Sequence, residues 1–314
     1  MKVAIIGNTK LQYSWFVLTF KEGLKLNGHE VFEIDYRTTH IRDIKNKLIQ
    51  IKPSIAFTHL TFHPIKPVGD VLNTFKDINK AVGTKFIHIL CDARHEPRYM
   101  EDISGAFHMA FVSQTHNLRK FKSYWNIPTF FCPYSAMTYN EMSPFAPDLA
   151  FQNPVFTGQP NAHPDRSKFI QQLQKIMPIE IFITQSKHDL RNRTPELSVS
   201  AKCILGLCTG YDIKHYTDVR PWQYLGTGAF MIMRKFNGID DIIPDDLYIP
   251  FEGYNNPQVV KDLFEQWEDK DTMFMRKSAF DFIQTYHSSK VRMENIINVI
   301  EGKQDTVRAM LDEL

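Results

Sequence analysis

Apolar residues in the first 136 positions fall into short runs separated by longer amphipathic segments. Lys2–Gly7, Glu30–Asp35, Pro53–Leu60, Lys85–Asp92, Ala106–Ser113 and Pro128–Pro133 each hold a compact apolar run bounded by Gly, Pro or polar residues. That is the pattern of buried strands. A periodic stretch from about Tyr13 to Leu26 closes on Asn27-Gly28, a pair suited to a helix C-cap, and a second helix is expected near Val68–Val82. Strands alternating with helices at this spacing predict a parallel, doubly wound α/β sheet with ligands at the carboxyl ends of its strands.

The rhythm breaks at Tyr134–Asp148, which carries two prolines and little periodicity. It restarts with strands at Leu149–Gly158, Ile179–Thr184, Ala201–Cys208, Ala229–Met233 and Leu247–Phe251. Helices are expected near Arg166–Ile176, Arg220–Gly226 and Pro257–Trp267, with two more over Asp271–Ile300. We therefore expect a first α/β domain over residues 1–136, a connection at 137–148, a second α/β domain over 149–300 and a C-terminal helix over 301–314. Two such halves would leave a ligand cleft between them.

Composition changes this picture little, but charge does. At 43% hydrophobic and 23% charged residues the chain has the make-up of a globular protein. No apolar run approaches the ~20 residues needed to span a bilayer, so membrane insertion is not expected. Cys91, Cys132, Cys203 and Cys208 lie in or beside apolar runs without metal-ligand spacing, as reduced core thiols of a cytoplasmic protein would. The net charge of +2 divides unevenly: residues 1–136 hold 18 Lys+Arg against 11 Asp+Glu, and the remainder holds 19 against 24. A basic half suits an anionic partner, and it suits an unevenly solvated surface equally well.

The stretch with most candidate chemistry is Arg220-Pro-Trp-Gln-Tyr-Leu-Gly-Thr-Gly-Ala-Phe-Met-Ile-Met233. Pro221 suits a first helical turn, and Arg220 would set a guanidinium beside orphan backbone N–H groups, in principle a phosphate cradle. The same residues also fit an ordinary helix–Gly–strand connection. At the other end of the chain, Gly7-Asn-Thr ends the first strand in a turn that permits close backbone approach. The three-glycine dinucleotide fingerprint is missing there, so Asp35 is not taken as a ribose-binding acid.

Three segments, in order, resemble the C-terminal lobe of GT-B glycosyltransferases, most nearly the CgeB-like group. Ala201–Cys208 resembles the strand that enters their donor site. Arg220–Phe230 resembles their Arg-x-aromatic-Glu-x-Leu-x-x-Gly-Ala/Gly-Phe pattern. Phe280, His287 and Arg292 resemble their C-terminal His…Arg helix signature. The resemblance covers about residues 149–300; the first half matches in its βαβ rhythm and in Asp92 at a strand end. It implies two Rossmann-like domains, a nucleotide-sugar donor (a UDP-sugar first) and transfer without a metal. The usual Glu of the middle motif is Gln223 here, which can hydrogen-bond a diol but brings no charge.

On that reading Arg220 holds the diphosphate, Gln223 contacts ribose or donor sugar, and Gly228 allows close packing under the donor. Tyr211, Asp212, Lys187, His188 and Gly7 complete the donor candidates. Asp92 at the end of a buried strand is the candidate base toward an acceptor hydroxyl, with His59 as second choice and His63, Arg94 and Arg98 on the acceptor side. Each of these also has a plain surface or capping reading. For the acceptor, a hydroxymethylated pyrimidine in DNA suits the basic first half, as in the small GT-B enzymes of phages. Arg119-Lys-Phe-Lys-Ser-Tyr-Trp125 interleaves cations with aromatics, as a strand-tracking patch does and as an amphipathic helix with a buried aromatic side does. A surface or spore saccharide, a small metabolite, and a scaffold that binds nucleotide without turnover are the alternatives.

Overall fold

The computed structural model describes residues 1–7, 15–59, 68–90, 103–116, 118–142, 151–183, 187–208, 210, 212–216 and 218–305. The chain forms two units, one of Met1–Pro133 joined by the segment from Ser289, the other of Tyr134–Ser288.

In the first unit, chain order is β1 (Lys2–Gly7), α1 (Trp15–Leu26), β2 (Glu30–Asp35), α2 (Ile41–Ile51), β3 (Ile55–Thr58), α3 (Val68–Val82), β4 (Lys85–Leu90), β5 (Met109–Val112), α4 (Leu118–Trp125) and β6 (Thr129–Phe131). The six strands pair in the order β2-β1-β3-β4-β5-β6, all parallel. Strand side chains alternate between two cores. Ala4, Ile6, Ala56 and Phe86 pack with α2, α3 and α4 residues on one face, whereas Val3, Ile5, Phe57 and Ile87 pack with Phe16, Val17 and Phe20 on the other. The spacing of Ile44 and Leu48 buries one side of α2, whose first turn is capped by His40.

In the second unit the order is β7 (Val155–Thr157), α5 (Pro164–Leu173), β8 (Glu180–Phe182), α6 (Lys187–Ser200), β9 (Ile204–Gly206), α7 (Arg220–Leu225), β10 (Met231–Arg234), β11 (Ile249–Phe251), α8 (Pro257–Trp267) and α9 (Met273–His287). Its five strands pair in the order β11-β10-β9-β7-β8, again all parallel. The doubly wound reading of both halves is what the structure shows. Among the described residues, no helix is long and apolar enough to cross a membrane.

The last helix, α10 (Ser289–Ile300), does not stay with its covalent neighbour α9. Met293, Ile296, Ile297, Val299 and Ile300 lie in the core that holds Val3, Ile5 and Phe20. α1 meets it at Gly23, where a Cβ would overlap the Ser289 carbonyl. Asn27 Nδ2 also donates to Lys290 O at 2.8 Å. The expected domain limit at 300 therefore differs from the observed grouping, and His287 and Arg292 of one sequence signature fall in different units. Residues 301–305 form turns rather than the start of a further helix, and 306–314 lie outside the described residues.

α4 settles the ambiguity of its cation–aromatic sequence. Phe121 and Trp125 are fully buried and stack on each other with centroids 5.0 Å apart. Lys120 covers the Tyr124 ring at 5.8 Å. The aromatic side faces the core, so these rings are not available to stack on bases.

Candidate functional site

The chemistry of the second unit gathers where its strands end. β7 finishes at Thr157 and passes into Gly158, whose φ of +119° suits only glycine. The Gly158 N–H donates to Phe182 O at 2.9 Å, which fixes the backbone there. Against this bend lies Arg220. Its Nε donates to Thr157 O at 2.7 Å, its Nη2 occupies the space a Gly158 side chain would take, and its Cζ stands 5.5 Å from the Phe156 ring centroid. Asp218 takes two further donors of the same residue. Its Oδ1 accepts the Arg220 N–H at 2.9 Å, and its Oδ2 pairs with Nη1. Burial opposes the charge on Arg220, but Asp218, together with Cys208 and Tyr224, more than offsets it, so the guanidinium's pKa stands above its ordinary value.

A second guanidinium shares the site. Arg166 of α5 is 3% exposed and stands 5.6 Å from the same Phe156 ring. Its Nη2 donates to Gln159 O at 2.7 Å and its Nη1 to Leu207 O at 3.5 Å, while its buried Nε has no partner. Among the described residues no carboxylate pairs with it. Burial, and then the charge of Arg220, draw its pKa below the ordinary value. A third, Arg234 at the carboxyl end of β10, lies 3.8 Å over the ring of Tyr254, whose hydroxyl donates to Cys208 O at 2.7 Å. Burial raises the Tyr254 pKa, and that of Tyr224 is pushed up to about 12 for the same reason, so both phenols stay protonated donors.

The arrangement gathers two buried guanidiniums and one carboxylate around the Phe156 ring. The helix start contributes less than its sequence promised. The Arg220 N–H is taken by Asp218, Pro221 has none, and the Gln223 N–H is spent on Val219 O. Two like charges buried side by side are costly unless a ligand repays them. A cluster of this kind, at the carboxyl edge of a doubly wound sheet, suits phosphate.

No protein-family model matches the chain, and no curated protein matches it by sequence. Solved structures do match. A sucrose-phosphate synthase from Thermosynechococcus elongatus aligns with a TM-score of 0.59 at 8% identity, over 97% of this chain and 100% of that one. A glycosyltransferase from Rickettsia africae gives 0.59 at 9% identity, over 96% and 98%. Anabaena HepE, solved with UDP, gives 0.55 at 7% identity, over 96% and 100%. The chain has the GT-B fold. Identity this low carries architecture only, so roles rest on the residues.

Within the GT-B frame the remaining candidates separate. Gln223 is 2% exposed, and its Nε2, like the Nε1 of neighbouring Trp222, is a buried donor without a partner. Gly228 does not join Arg220. It has a φ of +81° and leads into the amino end of β10, where a Cβ would overlap Met142. Beside it, Arg276 donates to Gly228 O at 3.4 Å and to Ala201 O at 3.0 Å at the start of β9. Its close packing serves the protein's own side chains, at the edge opposite the arginines. Asp212 is an exposed turn residue, and its carbonyl accepts from Asn237 at 3.4 Å. Lys187 and His188 form the first turn of α6. Tyr211 lies outside the described residues.

In the first unit, Gly7 and His59 end adjacent strands, and a Cβ on Gly7 would stand 4.0 Å from that of His59. His59 is buried against Phe16 with ring centroids 5.0 Å apart, and burial lowers its pKa to about 4. It is therefore neutral at neutral pH and a weak base. Asp35 caps its own turn by accepting the Arg37 N–H at 2.9 Å. Asp92, His63, Arg94 and Arg98 lie outside the described residues. No cluster of three or more metal-ligating side chains occurs among the described residues.

Sequence reasoning singled out Arg220 and did not single out Arg166 or Arg234. An arginine in the first turns of an amphipathic helix looks like solvated surface, and only the pairing of β7 with β9 brings Arg166 beside Arg220.

Proposed function

We propose that the protein transfers a sugar from a nucleoside-diphosphate sugar, a UDP-sugar first, to a hydroxyl acceptor. The observation that carries this reading is the pair of buried guanidiniums, Arg166 and Arg220, flanking Phe156 at the end of β7, with one carboxylate among the described residues, Asp218, paired with Arg220. As the bond from the anomeric carbon to the diphosphate breaks, negative charge grows on the leaving group. Fixed guanidiniums stabilise that charge without reorganisation. The protonated Tyr254, its O–H donated to Cys208 O, and the protonated Tyr224 bring no negative charge to the same neighbourhood. Gln223, with its unpartnered amide N–H, is assigned to a hydroxyl of the donor's ribose or sugar. Anabaena HepE, with the same fold, binds UDP and UDP-glucose, which supports the choice of donor.

For the acceptor side, Asp92 is assigned as the base, because His59 at a pKa of about 4 is too weak to lead. A hydroxymethylated pyrimidine in DNA is the proposed acceptor. Its support is the basic balance of residues 1–136 and the exposed Arg119 and Lys122 of α4, the aromatic argument having gone. DNA binding through phosphates must weaken steeply with salt. The test is mass spectrometry of hydroxymethylated oligonucleotides and oligosaccharides after incubation with mixed nucleotide sugars. A hexose-sized mass gain on the oligonucleotide supports the DNA arm. A gain on the saccharide alone rejects it and keeps the transferase reading. Slow hydrolysis of no donor, with tight nucleotide binding, leaves a non-catalytic scaffold.

A further inference from the structure

We propose that Asp218 is a built-in competitor for the ligand's phosphate, occupying Arg220 until the diphosphate displaces it. This rests on the reading of the site as one for nucleoside diphosphates. Both carboxylate oxygens of Asp218 engage the same residue, Oδ1 through the Arg220 N–H and Oδ2 through Nη1. Of the remaining nitrogens, Nε is fixed by Thr157 O at 2.7 Å, and Nη2 occupies the space that the missing Gly158 side chain leaves. The plane of the guanidinium is thus set without Asp218, and what Asp218 adds is cancellation of its charge. With 18% of its side chain open, the carboxylate can turn out to water when a better anion arrives.

Arg166 gives the exchange its direction. It has no carboxylate of its own among the described residues, and it raises the attraction of the site for an anion large enough to reach both arginines. A diphosphate spans two guanidiniums, whereas the Asp218 carboxylate meets one. The device sets donor affinity and, by returning to Arg220, helps expel the charged product. It makes Asp218 a residue that tunes affinity rather than one that reacts.

The test is calorimetric binding of inorganic pyrophosphate and of UDP to the full chain and to Asp218→Asn. The amide oxygen of Asn still accepts the Arg220 N–H, but it brings no charge. The proposal expects both ligands to bind about 5- to 10-fold more tightly to the variant, since a charged competitor is removed. In turnover, the donor KM falls while kcat stays level or drops, because product leaves more slowly. Unchanged or weaker pyrophosphate binding in a variant with wild-type circular dichroism overturns the proposal. Asp218→Ser repeats the measurement should the Asn variant melt early. If pyrophosphate tightens but UDP binds neither protein, the competitor role stands and the nucleotide reading fails. If neither ligand binds either protein, both fail.

Discussion

A methyl group on Gly158 would overlap the Nη2 of Arg220. The bend after β7 and the guanidinium that fills it are thus one structural unit, joined by the Arg220 Nε–Thr157 O hydrogen bond of 2.7 Å. Gly158→Ala has two expected consequences. The φ of +119° makes alanine strained, at a cost of about 1–3 kcal/mol. The displaced Arg220 lowers UDP affinity by at least about tenfold, in keeping with a lost charged hydrogen bond. Thermal melting and calorimetry read the two separately, and full UDP affinity in a folded variant contradicts the placement of the phosphate.

Arg166 and Arg276 are both buried arginines with opposite expected behaviour. Arg276 donates to the carbonyls of Ser198, Ala201, Lys202 and Gly228, and burial brings its pKa to about 10. Arg276→Met strips four carbonyls of their donor and should cost about 3–5 kcal/mol of stability.

Arg166→Met removes a buried charge that has no carboxylate partner among the described residues. The relief of that charge opposes the loss of the donor to Gln159 O and Leu207 O. The melting temperature should change little while UDP affinity falls by about tenfold or more. A large loss of stability with unchanged UDP binding would make Arg166 a structural residue.

The first unit carries a pH dependence of its own. His59 and His88 are buried, and burial lowers their pKa values to about 4 and about 3, against 6.5 for the exposed side chain. Both are neutral in the folded and unfolded chain above pH 6.5, so stability is fully present there. Below that, the unfolded chain binds the protons first, and stability falls as pH drops toward 4, by up to about 1.4 kcal/mol per pH unit for each histidine. Denaturant unfolding at pH 7, 6 and 5 measures the slope. His59→Phe should flatten it, and an unchanged slope in that variant and in His88→Phe contradicts the burial account.

Much of this architecture is written in apolar runs. The strands of both sheets were legible because each is a short Val/Ile/Phe/Leu run closed by Gly, Pro or Asp, and α3 and α8 because their apolar positions recur at helical spacing. α6 was not, since Pro195 interrupts a mostly polar segment that gives no periodic signal. The allegiance of α10 was not legible either: it follows α9 directly, and only tertiary packing shows that Met293 and Ile296 belong with Val3 and Phe20. In the site, Arg220 announced itself by preceding Pro221, whereas Arg166 became visible only once β7 and β9 were paired. The Glu-to-Gln difference at 223 was readable, but the unpartnered state of its amide N–H was not.

The central claim is that Arg166 and Arg220 together hold the diphosphate of a nucleotide sugar. Calorimetry of UDP and of uridine against the wild-type chain, Arg166→Met and Arg220→Ala tests it most directly. The account predicts that UDP binds the wild type at least about a hundredfold more tightly than uridine, and that each substitution removes most of that difference while the fold persists. Equal binding of UDP and uridine by all three proteins would contradict it.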